Sequence, residues 1–237
     1  RLNGSNADLQ PQRAWEFHGT IEHPVLGQGL FKLDFGYDLI SKLQDRILVF
    51  DQQGHAFDSP GNLGTGKRYF AVLTLDAPLD RVWKGLRAKF NATFQRTRVE
   101  DPIDHQLRRF SGYWPDWQWE LNVRRDAGRF SYGFDINGNQ HFTFYRTDEF
   151  DTNLNLKPYT TAFAEFRPTP RTAINFSVDN LFATHAARER LLFSPNRAFP
   201  VSMIREFRNR DRHPSFQITL KHSFGGASGT KVASTGK

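Results

Sequence analysis

Two histidines stand where metal or acid–base chemistry would be sought. His18 has Glu16 and Glu22 at even spacing, and side chains two apart on a strand share a face, so all three can project from one surface. His141 precedes Glu149 and Asp151 in a stretch that reads as a long loop. A metal site needs three or four converging ligands, and local spacing converges neither group; both read as polar surface. The sequence contains no Cys, which excludes disulfides, thiolate metal sites and Cys nucleophiles. Its Ser residues lack a nucleophile elbow, and no Gly-rich loop opens a helix. The residues therefore point away from an enzyme, and no metal or cofactor is expected. Arg205, Arg208, Arg210 and Arg212 form a basic run. It suits phosphate groups or another anionic ligand, or simply a solvated strand.

The elements that carry these residues have a period of two. Phe31, Leu33, Phe35, Tyr37 and Leu39 alternate with Lys32, Asp34, Gly36 and Asp38. The same pattern recurs at 86–95, 117–124, 130–137, 174–179 and 216–224, with less regular strands at 15–21, 69–75 and 159–167. Alternation of this kind marks strands with one apolar and one polar face. The sequence thus predicts an all-β, antiparallel up-and-down meander of about nine long strands. Residues 183–192 (ATHAARERLL) have the propensity of a short helix, yet their place in the order reads as the outer part of a long strand.

Composition fits that reading. The 237 residues carry 32 Lys plus Arg against 25 Asp plus Glu, a formal charge of +7. Basic and acidic residues are interleaved, which argues against a nucleic-acid partner. Only 38% of residues are hydrophobic, yet there are 23 Phe, 5 Trp and 6 Tyr, too many aromatics for a disordered chain. No segment approaches the ~20 apolar residues of a membrane-spanning helix. No leader is visible at Arg1, so the sequence reads as a mature domain or a fragment, and 226–237 reads as a flexible tail.

Connections alternate between short (23–29, 76–85, 126–129, 168–171) and long (50–67, 99–115, 147–158, 193–201). All short turns then lie at one end of the meander and all long loops at the other, as in an outer-membrane barrel. The polar face repeats charge from strand to strand: Glu16, His18, Lys32, Asp34, Arg87, Lys89, Glu120, Arg124 and Asp135. That suits a watery lumen. Phe110, Tyr113 and Trp114, with Trp117, form either an aromatic ligand platform at the mouth or part of an interfacial girdle.

Several local runs resemble one known family. Residues 6–12 (NADLQPQ) are similar to a run that leads into a barrel strand. Residues 57–64 (FDSPGNLG), 98–102 (RVEDP) and 109–112 (RFSG) are similar to outer loops, and 178–182 (VDNLF) to a penultimate-strand motif. The end of the last strand, His222-Ser223-Phe224, is similar to an aromatic-terminated assembly signal, although residues follow it here. Together these resemble the C-terminal part of TonB-dependent outer-membrane receptors.

The resemblance implies that 14–225 is a portion of a 22-stranded transmembrane barrel in the outer membrane of a Gram-negative bacterium, preceded by an extracellular loop segment at 1–13. It implies a plug domain and the rest of the barrel as partners, TonB engaged through the plug, and contact with the membrane and with lipopolysaccharide, whose phosphates the run Arg205, Arg208, Arg210 and Arg212 would suit. It also implies import of a scarce small-molecule nutrient, such as a metal chelate or an oligosaccharide. The nine polar-face residues would then contact the plug, and Phe110, Tyr113 and Trp114 the ligand. Nine strands leave two open edges, which hydrocarbon penalises by several kcal/mol per unpaired group, so the chain is expected to need further strands. A passive porin-like channel and a soluble β-sandwich binding module share the alternation and stand as rivals.

Overall fold

The computed structural model describes residues 4–112, 114–154 and 158–224. All regular structure among them is β, so no helix is long and apolar enough to cross a membrane, a statement that does not bear on strands. In chain order the strands are β1 (Arg13–Val25), β2 (Gly29–Ser41), β3 (Gln44–Phe50), β4 (Ala56–Asn62), β5 (Gly66–Pro78), β6 (Leu86–Glu100), β7 (Leu107–Arg108) and β8 (Trp117–Ala127). They continue as β9 (Phe130–Asn139), β10 (Phe142–Tyr145), β11 (Glu149–Asn153), β12 (Tyr159–Thr169), β13 (Thr172–Asp179), β14 (Ala186–Ser194), β15 (Ser202–Arg210) and β16 (Ser215–His222).

The strands fall into two tiers. The lower tier is one antiparallel meander, β1-β2-β5-β6-β8-β9-β12-β13-β16, with β7 attached to the end of β6. These are the nine strands that the alternation predicts. The sheet is open, with β1 and β16 as its edges, and no closed barrel forms among the described residues. Short turns join β1 to β2, β5 to β6, β8 to β9 and β12 to β13 at one end. The opposite connections fold into an upper tier. The β3–β4 ribbon continues β2 and β5, and the sheet β10-β11-β14-β15 continues β9, β12, β13 and β16 in the same lateral order.

Long strands were expected to run upward without interruption. They break at one level instead, and Asn180 shows why. It takes a left-handed φ of 55°, which Asn tolerates better than most residues. Its buried amide donates to the Thr184 carbonyl (3.2 Å) and the Arg212 carbonyl (2.8 Å), while its oxygen accepts from the Thr184 N–H (2.8 Å). One side chain thus satisfies backbone groups freed at both the β13–β14 and β15–β16 corners. Beyond the corner, the stretch with helical propensity is strand β14, because ladders to β11 and β15 satisfy its backbone.

Register places the two faces. Residues directly opposite on neighbouring strands share a face, and Phe35, Ala71, Phe94 and Trp117 lie in one such row. Another row runs Phe134, Ala162, Val178 and Phe216. Small residues sit opposite large ones: Phe35 lies over Gly19, and Trp119 over Gly138. This apolar face continues across all nine strands, with one register shift between Phe166 and Thr169 in β12. No second layer covers it among the described residues: Ile218 is 74% exposed and Phe17 63%, and strand packing follows the hydrogen-bonded ladders. A two-layer sandwich would have buried these side chains.

The dense core lies elsewhere, on the polar side where the tiers meet. Ile40, Leu43, Leu63, Val99 and Phe110 are buried together, with Ile47 and Trp114 against them. Phe110 reaches this core because Gly66 makes room: a Cβ there would come within 2.8 Å of its ring. Gly66→Ala is therefore expected to destabilise the upper tier by about 1–3 kcal/mol. Gly64, whose Cβ would meet nothing within 4 Å, supplies the control. Urea melts followed by near-ultraviolet circular dichroism should separate the two variants.

Candidate functional site

The lower tier presents all nine charged residues singled out in the sequence on one face. Seven of them are engaged within the sheet. His18 meets Asp38 at 2.6 Å with its ring edge-on to Phe70, and Arg68 holds the other Asp38 oxygen at 3.1 Å. Asp34 accepts from Thr20 (2.6 Å) and pairs with Lys32 (3.2 Å). Arg87 and Lys89 share Asp76 at 2.5 and 3.6 Å. Asn122 donates to Asp135, and Arg124 pairs with Asp126 at 2.9 Å. Glu16 and Glu120 form no ion pair among the described residues. Solvent-facing pairs of this kind contribute little, so the face is a matched polar surface more than a source of stability.

No group of three or more His, Asp or Glu among the described residues is arranged to hold a metal. Glu16 and Glu22 share a face with His18, but the imidazole turns to Asp38. His141 lines a cavity with Arg96, Arg98 and Arg109, while Glu149 and Asp151 are taken by Arg190 and Arg188.

Of the aromatics expected at the mouth, Phe110 is 4% exposed in the core between the tiers. Trp114 packs edge-to-face on it at 5.7 Å and lies 5.1 Å from the Arg68 guanidinium. Tyr113 lies outside the described residues, as does the expected tail at 226–237. The basic run divides: Arg205 pairs with Glu189, whereas Arg208, Arg210 and Arg212 line a cavity of about 430 Å3 with Arg188, Phe142 and Phe144.

What local spacing does not reveal is the ionic lock of the upper tier. The Asp101 carboxylate, 2% exposed, accepts Arg108 at 2.7 Å and Arg197 at 3.0 Å, and Arg108 reaches Asp45 at 2.9 Å. The two guanidiniums stack on Tyr145 (4.5 Å) and Phe150 (4.2 Å). This joins β3, the 101–108 turn, β10, β11 and the β14–β15 connection. A second buried carboxylate, Asp58, takes Arg46 at 2.6 Å and the Thr147 hydroxyl at 3.1 Å. No protein-family model, curated protein or solved structure matches the chain.

Charge in this lock responds to pH in two directions. Burial opposes ionisation of Asp101, but hydrogen bonds from Arg197, the Ile103 N–H and Arg108 prevail and hold it below the usual carboxylate range. Burial pushes Asp45 up, against the attraction of Arg108. A depressed carboxylate stabilises the fold above its unfolded pKa and loses that contribution as pH falls through the folded value. A raised one contributes stability below its unfolded pKa and loses it as pH rises through the folded value. On acidification from neutrality, Asp45 therefore protonates first and firms the tier. Asp101 protonates below the ordinary Asp range, and the tier then loosens. Hydrogen exchange of the upper-tier amides across pH 2–7, a window set about the ordinary Asp value of roughly 3.9, should show this order. In Asp101→Asn the loosening at low pH should vanish. Arg197→Met, which leaves buried carboxylate uncompensated, should cost about 3–5 kcal/mol.

Proposed function

We propose that the chain is a wall segment of a transmembrane β-barrel in a bacterial outer membrane, and that the barrel belongs to a TonB-dependent receptor importing a scarce nutrient. The observation that carries the membrane reading is the uncovered apolar face. Burying a large apolar side chain is worth about 1.5–3 kcal/mol, and soluble monomers rarely expose contiguous apolar patches beyond a few hundred Å2. Here Trp15, Phe94, Phe134, Phe176 and Ile218 all stand on the one exposed face. Hydrocarbon is the solvent that removes this penalty, while the paired charges of the opposite face meet water in the lumen.

Three further features support the reading. Leu86 to Phe94 of β6 supplies an apolar span close to the ~9–11 residues of a tilted transmembrane strand. The two open edges need partner strands, because unpaired backbone groups are penalised in lipid. The turns are short at one end, and at the other the loops fold into a structured tier, as periplasmic turns and extracellular loops do. The receptor reading rests on the family resemblance of 57–64, 98–102 and 178–182. Glu16 and Glu120, left without ion pairs among the described residues, are suited to bind a plug. The cargo is a metal chelate or an oligosaccharide.

Depth-resolved fluorescence tests the placement. The protein, extracted intact from cells, is reconstituted into vesicles of lipids brominated on the acyl chain, with single-Trp variants that retain either Trp119 or Trp114. Strong quenching of Trp119 and little quenching of Trp114 is expected. Protein that stays soluble without detergent, with neither indole quenched, would refute the barrel. A globular plug encoded in the same reading frame supports the receptor over an open channel.

A further inference from the structure

We propose that the polar face carries a binding site for a short zwitterionic peptide. The site goes beyond the membrane and receptor readings and needs only a face open to water. It is built by β6, β8 and β9 with the β13–β14 and β15–β16 corners. Asn91, Thr93, Gln118, Glu120, Asn137 and Asn139 line a cavity of about 290 Å3. Register sets them side by side, since Glu120 stands opposite both Asn91 and Asn137, and Gln118 opposite both Thr93 and Asn139. A second cavity, of about 250 Å3, shares Asn137 and Asn139 and is completed by Tyr159, His185 and Arg212. The two make one groove.

This groove is polarised. At its lower end Glu120 is exposed and forms no ion pair among the described residues, while Lys89 and Arg124, the neighbouring cations of the face, are held by Asp76 and Asp126. At its upper end Arg212 is exposed and pairs with no carboxylate among the described residues, while Asp211 turns to His185 at 2.8 Å. Between the poles, the side chains of Asn91, Gln118 and Asn137 make no hydrogen bond among the described residues. Asn139 donates to the Gln140 carbonyl at 2.8 Å and keeps its own oxygen open. The contrast with the rest of the face is clear, because Asn122 is used by Asp135 and Thr161 by Asp179.

The two poles select the ligand. A simple anion is repelled by Glu120 and a simple cation by Arg212, and a neutral sugar leaves both charges without a partner. A peptide with free termini matches both, its ammonium meeting Glu120 and its carboxylate the planar fork of Arg212. Carboxamides donate and accept at once, so Asn91, Gln118, Asn137 and Asn139 suit main-chain N–H and C=O groups whatever the peptide's side chains. Spacing sets the length. Ladder neighbours lie about 5 Å apart and residues two apart on a strand about 7 Å, which puts Asn139 roughly 8–9 Å from Glu120, with Arg212 beyond it. At about 3.3–3.6 Å per residue, a tripeptide covers that reach. Glu120 then serves the peptide, and Glu16, on β1, stays outside the site.

Isothermal titration calorimetry tests this on the intact protein in a polyoxyethylene detergent, at about pH 6.5, where a peptide amine is charged. The probes are trialanine, N-acetyl-trialanine, trialanine amide and maltotriose. Trialanine should bind, blocking either terminus should weaken it about threefold to tenfold, and maltotriose should not bind. Glu120→Gln should take the free and N-acetylated peptides equally and still discriminate against the amide. Arg212→Gln should do the reverse. Both side chains are exposed, so each variant should keep the near-ultraviolet circular dichroism of the unaltered protein. Each comparison is made within one variant, so a general loss of folded protein cannot imitate the pattern. Absence of trialanine binding, or equal affinity of the unaltered protein for free and blocked peptides, would overturn the proposal. So would a variant that fails to lose its matching discrimination while keeping the other. Tighter binding of maltotriose would assign a sugar site and overturn the peptide. None of these outcomes depends on the quenching of Trp119, which tests the barrel.

Discussion

Side chains alternate across a β-strand, so every in-register ladder sorts residues into two sheets of surface with no freedom to compromise. Here one surface collects Phe, Trp, Leu and Ile, and the other collects Lys, Arg, Asp, Glu and Asn, through nine consecutive strands. A one-residue slip at any ladder would carry charge onto the apolar face. Pairs such as Phe35 over Gly19 and Trp119 over Gly138 resist such a slip, since a Cβ at either glycine would meet the ring. The sheet is thus specified by its own faces and by its ladders, with no second layer among the described residues to hold it flat or cover it.

The upper tier is held in a different way. Its apolar core among the described residues is small, five buried residues with two more against it, and its extra order comes from charge buried with its partners. Asp101 joins Arg108 and Arg197 beneath aromatic rings. Buried ion pairs add little net stability compared with an apolar replacement, but losing one member is costly because a charge is left unmatched. Such a network fixes which loop docks on which. It is a suitable device where loops must keep one arrangement above the sheet.

Division of labour follows from this arrangement. The lower polar face offers matched charge, with Glu16 and Glu120 outside ion pairs among the described residues. The cavity between Arg188, Arg208 and Phe142 belongs to the strands of the upper tier, and Lys67, Arg96 and Arg98 stand at the upper edge of the apolar face.

Much of this was legible in the chain. The nine lower strands, their order, the short and long connections and the common face of Glu16 through Asp135 all follow from period-two spacing and turn residues, because those signals are local. The runs 57–64, 98–102 and 178–182 stood out as motifs, but their work did not: Asp58, Asp101 and Asn180 are buried anchors of the upper tier and its corner. What only the tertiary structure decided was where the strands break into two tiers, that Phe110 turns inward over Gly66, and that Asp45, Asp101, Arg108 and Arg197 meet. Those partners lie as far as 96 residues apart, and a charge pairing across such a distance leaves no periodic trace; it exists only once the ladders have brought the loops to one level.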